Sequence, residues 1–310
     1  MRKDFETLKR DYAERIVSGK TLPRFQRLHG AVEIESASAK DTRAFFNDTR
    51  VTTDYDPSIR TASGFPHRVE LITTFENADV EHVIDVANRF ATFSTANDRS
   101  GIHVHMNASA LVGNLNRASS VARLARLKAC LISCAKRWEN LLFGMNGARI
   151  RENNSHVDYM NRAEFDQAMT NAEPYNVTLR GCARGHKYKL VNFTNLYNED
   201  YALNDRTIEF RAWSASKGFR EDFAPTSALH VESALFVLFN MLSTALSETN
   251  KLSALRFTPK HNRAEDSFKW FLHHCAKRSQ LPIWSDYDRV KTLIDYIFNQ
   301  CKRYDDELNR

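Results

Sequence analysis

The sequence predicts an α+β fold in which short antiparallel strands alternate with helices and a helical C-terminal third follows. Two observations lead there. Several runs alternate apolar and charged residues, which gives a strand one buried face and one wet face. Strands of a doubly wound parallel sheet, covered on both sides, would be apolar throughout, and these are not. The last third of the chain instead shows long stripes of helical period, with no strand pattern between them.

Residues 4–18 have the spacing of an amphipathic helix, ended by Ser18-Gly19 and Pro23. The run Ala31-Val32-Glu33-Ile34-Glu35 then places Glu33 and Glu35 on one side of a strand and Val32 and Ile34 on the other. A turn-rich stretch over 56–66 precedes a second strand, Arg68–Thr73, which carries Glu70. Residues 79–95 repeat apolar side chains at 80, 83, 84, 87 and 90, a helical face. Ser100-Gly101 opens a third alternating run, Ile102-His103-Val104-His105-Met106. Residues 118–144 form the strongest helical stripe in the chain. The polar 147–185 stretch, with Pro174, Gly181 and Gly185, reads as an irregular lid or binding loop. Two further strands are expected at 188–193 and 207–212, then helices over 226–248, 264–278 and 286–307. No repeat or low-complexity linker divides the chain.

Composition narrows the class. The 310 residues are 42% hydrophobic and 26% charged, which is enough for a sizeable core without metal or disulfide staples. The excess of 44 basic over 38 acidic residues, +6 in all, is spread along the chain. It is the whole support for a nucleic-acid partner, which is therefore not the expectation. Five cysteines without a CxxC pair point to reduced thiols and a cytoplasmic setting. The charged N-terminal helix is unlike a secretory leader, and Ala228–Ser247, with His230 and Glu232 inside it, reads as a core helix, so no membrane is expected. Trp138, Trp213, Trp270 and Trp284 read as packing residues. Lys128, Lys136 and Arg137 read as an exposed helix face, and His273 and His274 as surface.

The chemistry lies in the strands. Glu33/Glu35, Glu70, His103/His105 and Glu209/Arg211 repeat one device in four of them. Each alone has a bland reading as a solvated face or a cross-strand ion pair. Together on one sheet face they would repel one another unless a cation sat among them. Carboxylate oxygens with an imidazole suit Mg²⁺ or Mn²⁺. An arginine among such groups is what phosphoryl chemistry uses. No GxxxxGK[ST], GxGxxG or kinase signature occurs, so a nucleotide would have to be held through metal.

These segments resemble a known set. Ser100–Met106 resembles the SG-x-H-x-H-M strand of glutamine synthetase, Arg206–Arg211 its RIE-x-R strand, and Val32–Glu35 its opening E-x-E strand. Spacing and length are closer to the amidoligases, a carboxylate–amine ligase family of the glutamine synthetase superfamily. The corresponding elements here are Glu33/Glu35, Asp56/Ser58 before Glu70, Gly101–His105, Lys187–Asn192 and Thr207–Arg211. The resemblance spans about 30–250. It implies a glutamine-synthetase-like curved antiparallel sheet for 30–250, an N-terminal helical extension over 1–29 and a C-terminal helical region over 251–310 packed on it.

The function implied is ATP-dependent amide or isopeptide formation through an acyl phosphate, with ATP and Mg²⁺ (or Mn²⁺) as cofactors and small-molecule or peptide carboxylates and amines as substrates. By position, Glu35 and Glu70 would bind one metal, and Glu33, His103 and Glu209 another. His105 would face the nucleotide, and Arg211 the transferring phosphate. Lys189 and Asn192 would contact phosphate or the carboxylate. The general base is sought in 147–185, at Asp158, Glu164 or Glu173. Two alternatives stand beside this: a non-catalytic binding module on the same fold, and a phosphotransferase acting on a carboxylate or guanidino group. The oligomeric state is left open.

Overall fold

The alternating runs become the centre of one eight-stranded antiparallel sheet in the computed structural model. It describes residues 4–18, 25–42, 46–97, 100–146, 157–173, 177–215, 224–225, 227–259, 261–275 and 281–309. The strands are β1 (Gly30–Ser38), β2 (Val51–Asp54), β3 (His67–Phe75), β4 (Ser94–Ala96), β5 (Gly101–Asn107), β6 (Val191–Asn192), β7 (Thr207–Ser214) and β8 (Ala224–Pro225). Their order is β2-β3-β1-β5-β7-β6. β4 joins the far end of β1, beyond the reach of β5, and pairs in turn with β8. The fold is thus mixed α and β with an open antiparallel sheet.

Why these runs form strands is visible in their burial. Val32 and Ile34 of β1, Val69 and Leu71 of β3, Ile102, Val104 and Met106 of β5, and Ile208 and Phe210 of β7 are all buried. A one-residue slip of any strand would turn this apolar set to the wet face, so the register is strongly specified. One irregularity lies between β5 and β7. The pairing moves from Val104–Phe210 to Ile102–Trp213, so His103 alone stands opposite Arg211 and Ala212. This bulge brings Trp213 back to the buried side, fully enclosed.

Helices cover the apolar face. They are α1 (Phe5–Val17), α2 (Val80–Ala91), α3 (Ala108–Val112), α4 (Ala118–Arg137), α5 (Glu139–Gly144), α6 (Arg162–Ala172), α7 (Leu179–Ala183), α8 (Ala228–Glu248), α9 (Ala264–Cys275) and α10 (Tyr287–Leu308). α8 is buried nearly all round, with Phe239 against Phe25 and Phe75. Its length and apolarity would let it cross a membrane, but its side chains are packed in the core. α1 lies on α10, where Phe5 stacks on Phe298 at 3.6 Å and Lys9 pairs with Asp295 at 2.8 Å.

Three expectations change. The stripe over 118–144 is two helices, because Trp138 leaves helical geometry and packs edge-on to Phe271 of α9. The stretch 147–185 contains α6 and α7; α6 opens with a capping box, Asn161 with Glu164, that was present in the sequence. Residues 147–156 and 174–176 of that stretch, like 226 and 276–278 of the expected C-terminal helices, lie outside the described residues. The strand expected over 188–193 is only β6, and β2, β4 and β8 are short strands with no alternation long enough to read.

Candidate functional site

Strand parity assembles the site. With the apolar residues of β1, β3, β5 and β7 turned into the core, the alternate positions stand together on the other face. The register sets Glu33 opposite His103, Glu35 opposite Glu70, and Glu209 between His105 on one side and Asn192 on the other. Glu35, His103, Asn192 and Glu209 are each under a tenth exposed, so this polar face is sunk well below the surface.

The contacts are dense. His103 Nδ1 lies 2.7 Å from Glu33 Oε1, 3.9 Å from Glu35 Oε1 and 3.7 Å from Glu209 Oε1. His105 Nε2 is 3.1 Å from Glu33 Oε2, and its Nδ1 is 3.3 Å from the Thr207 hydroxyl. The Gly101 N–H donates to Glu35 Oε2 at 2.6 Å, so the Ser100-Gly101 turn fixes that carboxylate. Glu209 is held at both oxygens. Arg211 Nη1 bonds to Oε1, while Asn192 and Asn195 donate to Oε2 at 2.7 and 3.4 Å. Asn195 and Thr207 were not foreseen. Thr207 could have been, since it sits two residues before Glu209 on the same strand face. Asn195 lies in a 3-10 turn and carried no signal.

Electrostatics follow from the crowding. Burial alone would raise the Glu33 carboxyl, but the charges and hydrogen bonds of His103 and His105 outweigh it and hold the group well below the usual carboxylate range. Burial likewise opposes the charged form of His105, yet its bonds to Glu33 and the nearby Glu209 keep its pKa above the ordinary value. Glu70 goes the other way. Burial first, then repulsion from Glu33, Glu35, Asp56 and Asp54, pushes its carboxyl up to about 8. A sheet face that drives one carboxyl toward neutrality lacks positive charge.

One atom each from Glu33, Glu35 and His103 lies within 4.8 Å of the others, the only such group of metal-binding types among the described residues. Two hard oxygens and one imidazole nitrogen, with Gly101 steadying Glu35, fit a Mg²⁺ or Mn²⁺ ion. The geometry thus draws the grouping of the metal-binding candidates differently from the order of the motifs. Glu70 and Glu209 stand outside the trio, although Glu209 Oε1 is 3.7 Å from His103. Arg211 reaches Glu209 and lies 5.9 Å from the Tyr188 ring.

Beside the trio a cleft of about 560 Å³ opens along β1, β3 and β5. Glu33, Glu70, His105, Asn195 and Thr207 line it, together with Gly30 and Ile72. Gly30 is required there, because a Cβ would stand 2.0 Å from the His105 carbonyl oxygen and 2.9 Å from the Phe75 ring.

Some candidates are not brought together. Lys189 and Asn192 are three residues apart, so they fall on opposite sides of the chain at β6. Lys189 pairs with Asp158 at 2.6 Å and donates to the Tyr159 carbonyl, in a small cavity shared with Glu164 and Lys128. Asp158, Glu164 and Glu173 do not line the cleft. Lys128 is buried rather than exposed. Its ammonium caps the carbonyls of Cys182 and Arg184 at the end of α7, and burial pulls its pKa down to about 8. Lys136 and Arg137 are tied to Glu139 and Glu248. Trp138, Trp213 and Trp284 are core residues as expected. The thiols of Cys130 and Cys182 are buried and pushed up to about 12 and about 11, which removes them as nucleophiles.

No protein-family model and no curated protein matches this sequence. Among solved structures, the chain is similar to a bifunctional glutathione synthetase from Pasteurella multocida at 14% identity and a TM-score of 0.42. The alignment covers 96% of this chain and 50% of that one, so the chain spans half the length of that enzyme. At that level of likeness nothing about the site follows from it.

Proposed function

We propose that this chain is an ATP-dependent carboxylate–amine ligase of the amidoligase type, on a glutamine-synthetase-like sheet. The observation that carries the reading is the Glu33–Glu35–His103 trio set on the same buried sheet face as Arg211 and beside an open cleft. The order of motifs along the chain supports it independently.

Glu33, Glu35 and His103 would hold Mg²⁺ or Mn²⁺, which when bound supplies positive charge to phosphate oxygens. Arg211 would carry its guanidinium to the transferring phosphoryl group, steadied by Glu209, which Asn192 and Asn195 hold in turn. His105, fixed by Thr207 and Glu33, borders the place where the two substrates would meet. A substrate carboxylate oxygen attacks the γ-phosphorus of ATP and the β–γ bridge breaks, releasing ADP. The amine nitrogen then attacks the acyl carbon, the bond to phosphate breaks, and the amine proton passes to a base. Glu70, lining the cleft next to Glu33, stands where that proton would be taken up. Activation is needed because a carboxylate is a poor electrophile, whereas a mixed anhydride is a good one.

The test is the thermal shift of the protein with MgATP, with ATP plus EDTA, and with Mg²⁺ alone, alongside Glu35→Ala and His103→Ala. Stabilisation that needs both metal and nucleotide and is lost in both variants is the expected result. Hydroxylamine would then trap an acyl phosphate as a hydroxamate. A folded wild-type protein that shows no shift at millimolar MgATP would overturn the reading. Phosphorylated product without amide would reassign the chain as a phosphotransferase.

A further inference from the structure

Away from the proposed metal ligands, the start of β2 and the start of α2 are tied by a small charged joint. Arg50 Nη2 lies 2.9 Å from His82 Nδ1. A guanidinium has only donors and keeps its protons, so Nδ1 must accept and the ring proton must sit on Nε2. His82 is largely buried, and its Nε2 has no hydrogen-bond partner among the described residues; Asp48 Oδ2 stands beyond bonding reach at 3.7 Å. Arg50 is also where the backbone of β2 is anchored. Its N–H donates to Asp48 Oδ1 at 2.9 Å, and its carbonyl accepts from the Thr74 N–H and hydroxyl of β3 at 2.9 and 3.2 Å.

The turn between β3 and α2 is strained. Asn77 and Ala78 both have positive φ, 54° and 56°, a region that alanine rarely occupies. Strain of this kind persists only while surrounding contacts hold it. Arg50 holds both sides of the turn, Thr74 before it and His82 after it. Its guanidinium also stands 3.5 Å from Asp79 Oδ2, and Asp79, the N-cap residue of α2, makes no capping bond to its own helix. The charged groups that face His82 are Arg50 and Asp48 from the segment leading into β2, and Asp79 and Asp85 from α2 itself. Thr74 of β3 does not titrate. Glu232 of α8 and Arg289 of α10 pair with each other, and Arg289 meets α2 at Glu81 rather than at His82.

We infer that His82 is a proton-operated latch for the β2 edge of the sheet. While the ring is neutral it accepts from Arg50, and Arg50 ties β2 to β3 and α2. A proton arriving at Nδ1 takes the lone pair that Arg50 uses and sets two cations against each other. The guanidinium then leaves for Asp79, the imidazolium turns Nε2 to Asp48, and the strained turn is no longer clasped. β2 is the outermost strand at this edge, and its Asp54 stands opposite Glu70, so acid loosens the sheet beside the candidate site. The latch is independent of the proposed ligase chemistry. Burial first, then Arg50, holds the imidazole below its ordinary 6.5, against the opposing pull of Asp48, Asp79 and Asp85. The stability such a group contributes is present above 6.5 and is lost as pH falls through the lower folded value.

The test is an NMR titration of the full chain labelled at its histidine rings, with the His82 signal identified by its absence in His82→Gln. Neutral His82 should carry its proton on Nε2 and titrate below 6.5. Arg50→Met removes the donated bond and the positive charge but leaves Asp48, Asp79 and Asp85, so His82 should titrate higher in that variant than in the wild type. Amide hydrogen exchange then reads the latch itself. Corrected for the intrinsic rate, protection of the Thr74 N–H should fall by about threefold between pH 7.5 and pH 5 in the wild type. It should fall less in His82→Gln, whose amide oxygen accepts from Arg50 at any pH; the comparison removes what groups remote from the joint contribute. A ring proton on Nδ1, titration at or above 6.5, an Arg50→Met variant that titrates no higher than the wild type, or the same pH course of Thr74 protection in wild type and His82→Gln would each overturn the inference.

Discussion

Replacing Glu70 by glutamine should stabilise the metal-free protein in a way that grows with pH. In the folded chain burial and four neighbouring carboxylates raise the Glu70 carboxyl from an ordinary 4.5 to about 8. A group raised in this way contributes its full share of stability below pH 4.5, loses it as pH climbs to about 8, and has no more to lose above that. Were the carboxyl sealed from water, the rise would correspond to about 5 kcal/mol. Glu70 is only half-buried, so solvent screening reduces this to about 1–2 kcal/mol. Glutamine keeps the shape and never ionises. In urea titrations of EDTA-treated protein, Glu70→Gln and wild type should be similar at pH 4.5, separate steadily through neutrality, and differ by about 1–2 kcal/mol at pH 9, the variant being the more stable. Groups that do not interact with Glu70 titrate alike in both proteins and cancel in the difference. Millimolar Mn²⁺ should close most of the gap at pH 9, because a cation among Glu33, Glu35 and His103 removes the repulsion. A difference that does not change with pH, or a variant less stable at pH 9, would refute the account of a cation-deficient sheet face.

Other substitutions probe separate links. Gly30→Ala places a Cβ against a backbone carbonyl that cannot rotate away. Denaturation should show a loss of about 3 kcal/mol or more, larger than for an ordinary overpacked core. Lys128→Met keeps the aliphatic stem but strands the carbonyls of Cys182 and Arg184; a loss of about 1–3 kcal/mol is expected, together with faster hydrogen exchange across 178–190. Asp305→Ala removes the carboxylate that accepts from the N–H groups of Ala264 and Glu265 at the start of α9. It should cost about 1–2 kcal/mol and leave MgATP stabilisation unchanged. Arg211→Lys keeps the charge but not the fork, so steady-state kinetics of the proposed reaction should show kcat falling by about 100-fold or more with the KM for carboxylate little altered.

Much of the site was legible in one dimension because a strand's faces follow from parity alone. Glu33 and Glu35, His103 and His105, and Glu209 and Arg211 each had to share a face once their apolar neighbours faced the core. The same rule, applied to Lys189 and Asn192, would have separated them, since an interval of three residues crosses a strand. Lys128 could not be read so simply: its helix position says nothing about α7, whose free carbonyls draw the ammonium inward.

The mixed architecture, the central strands and the polar character of their outer face thus follow from the order of residues, since burial of apolar side chains dictates local period and facing. Which of those polar groups touch is another matter. That Glu33, Glu35 and His103 close to within 4.8 Å while Glu209 turns to Arg211, that Glu70 is crowded toward neutrality, and that a cleft opens beside these groups depend on pairing register, on the bulge beside His103 and on segments more than 100 residues apart in the chain. Those distances are set by packing across strands, and electrostatic energy depends on distance through space, not along the sequence.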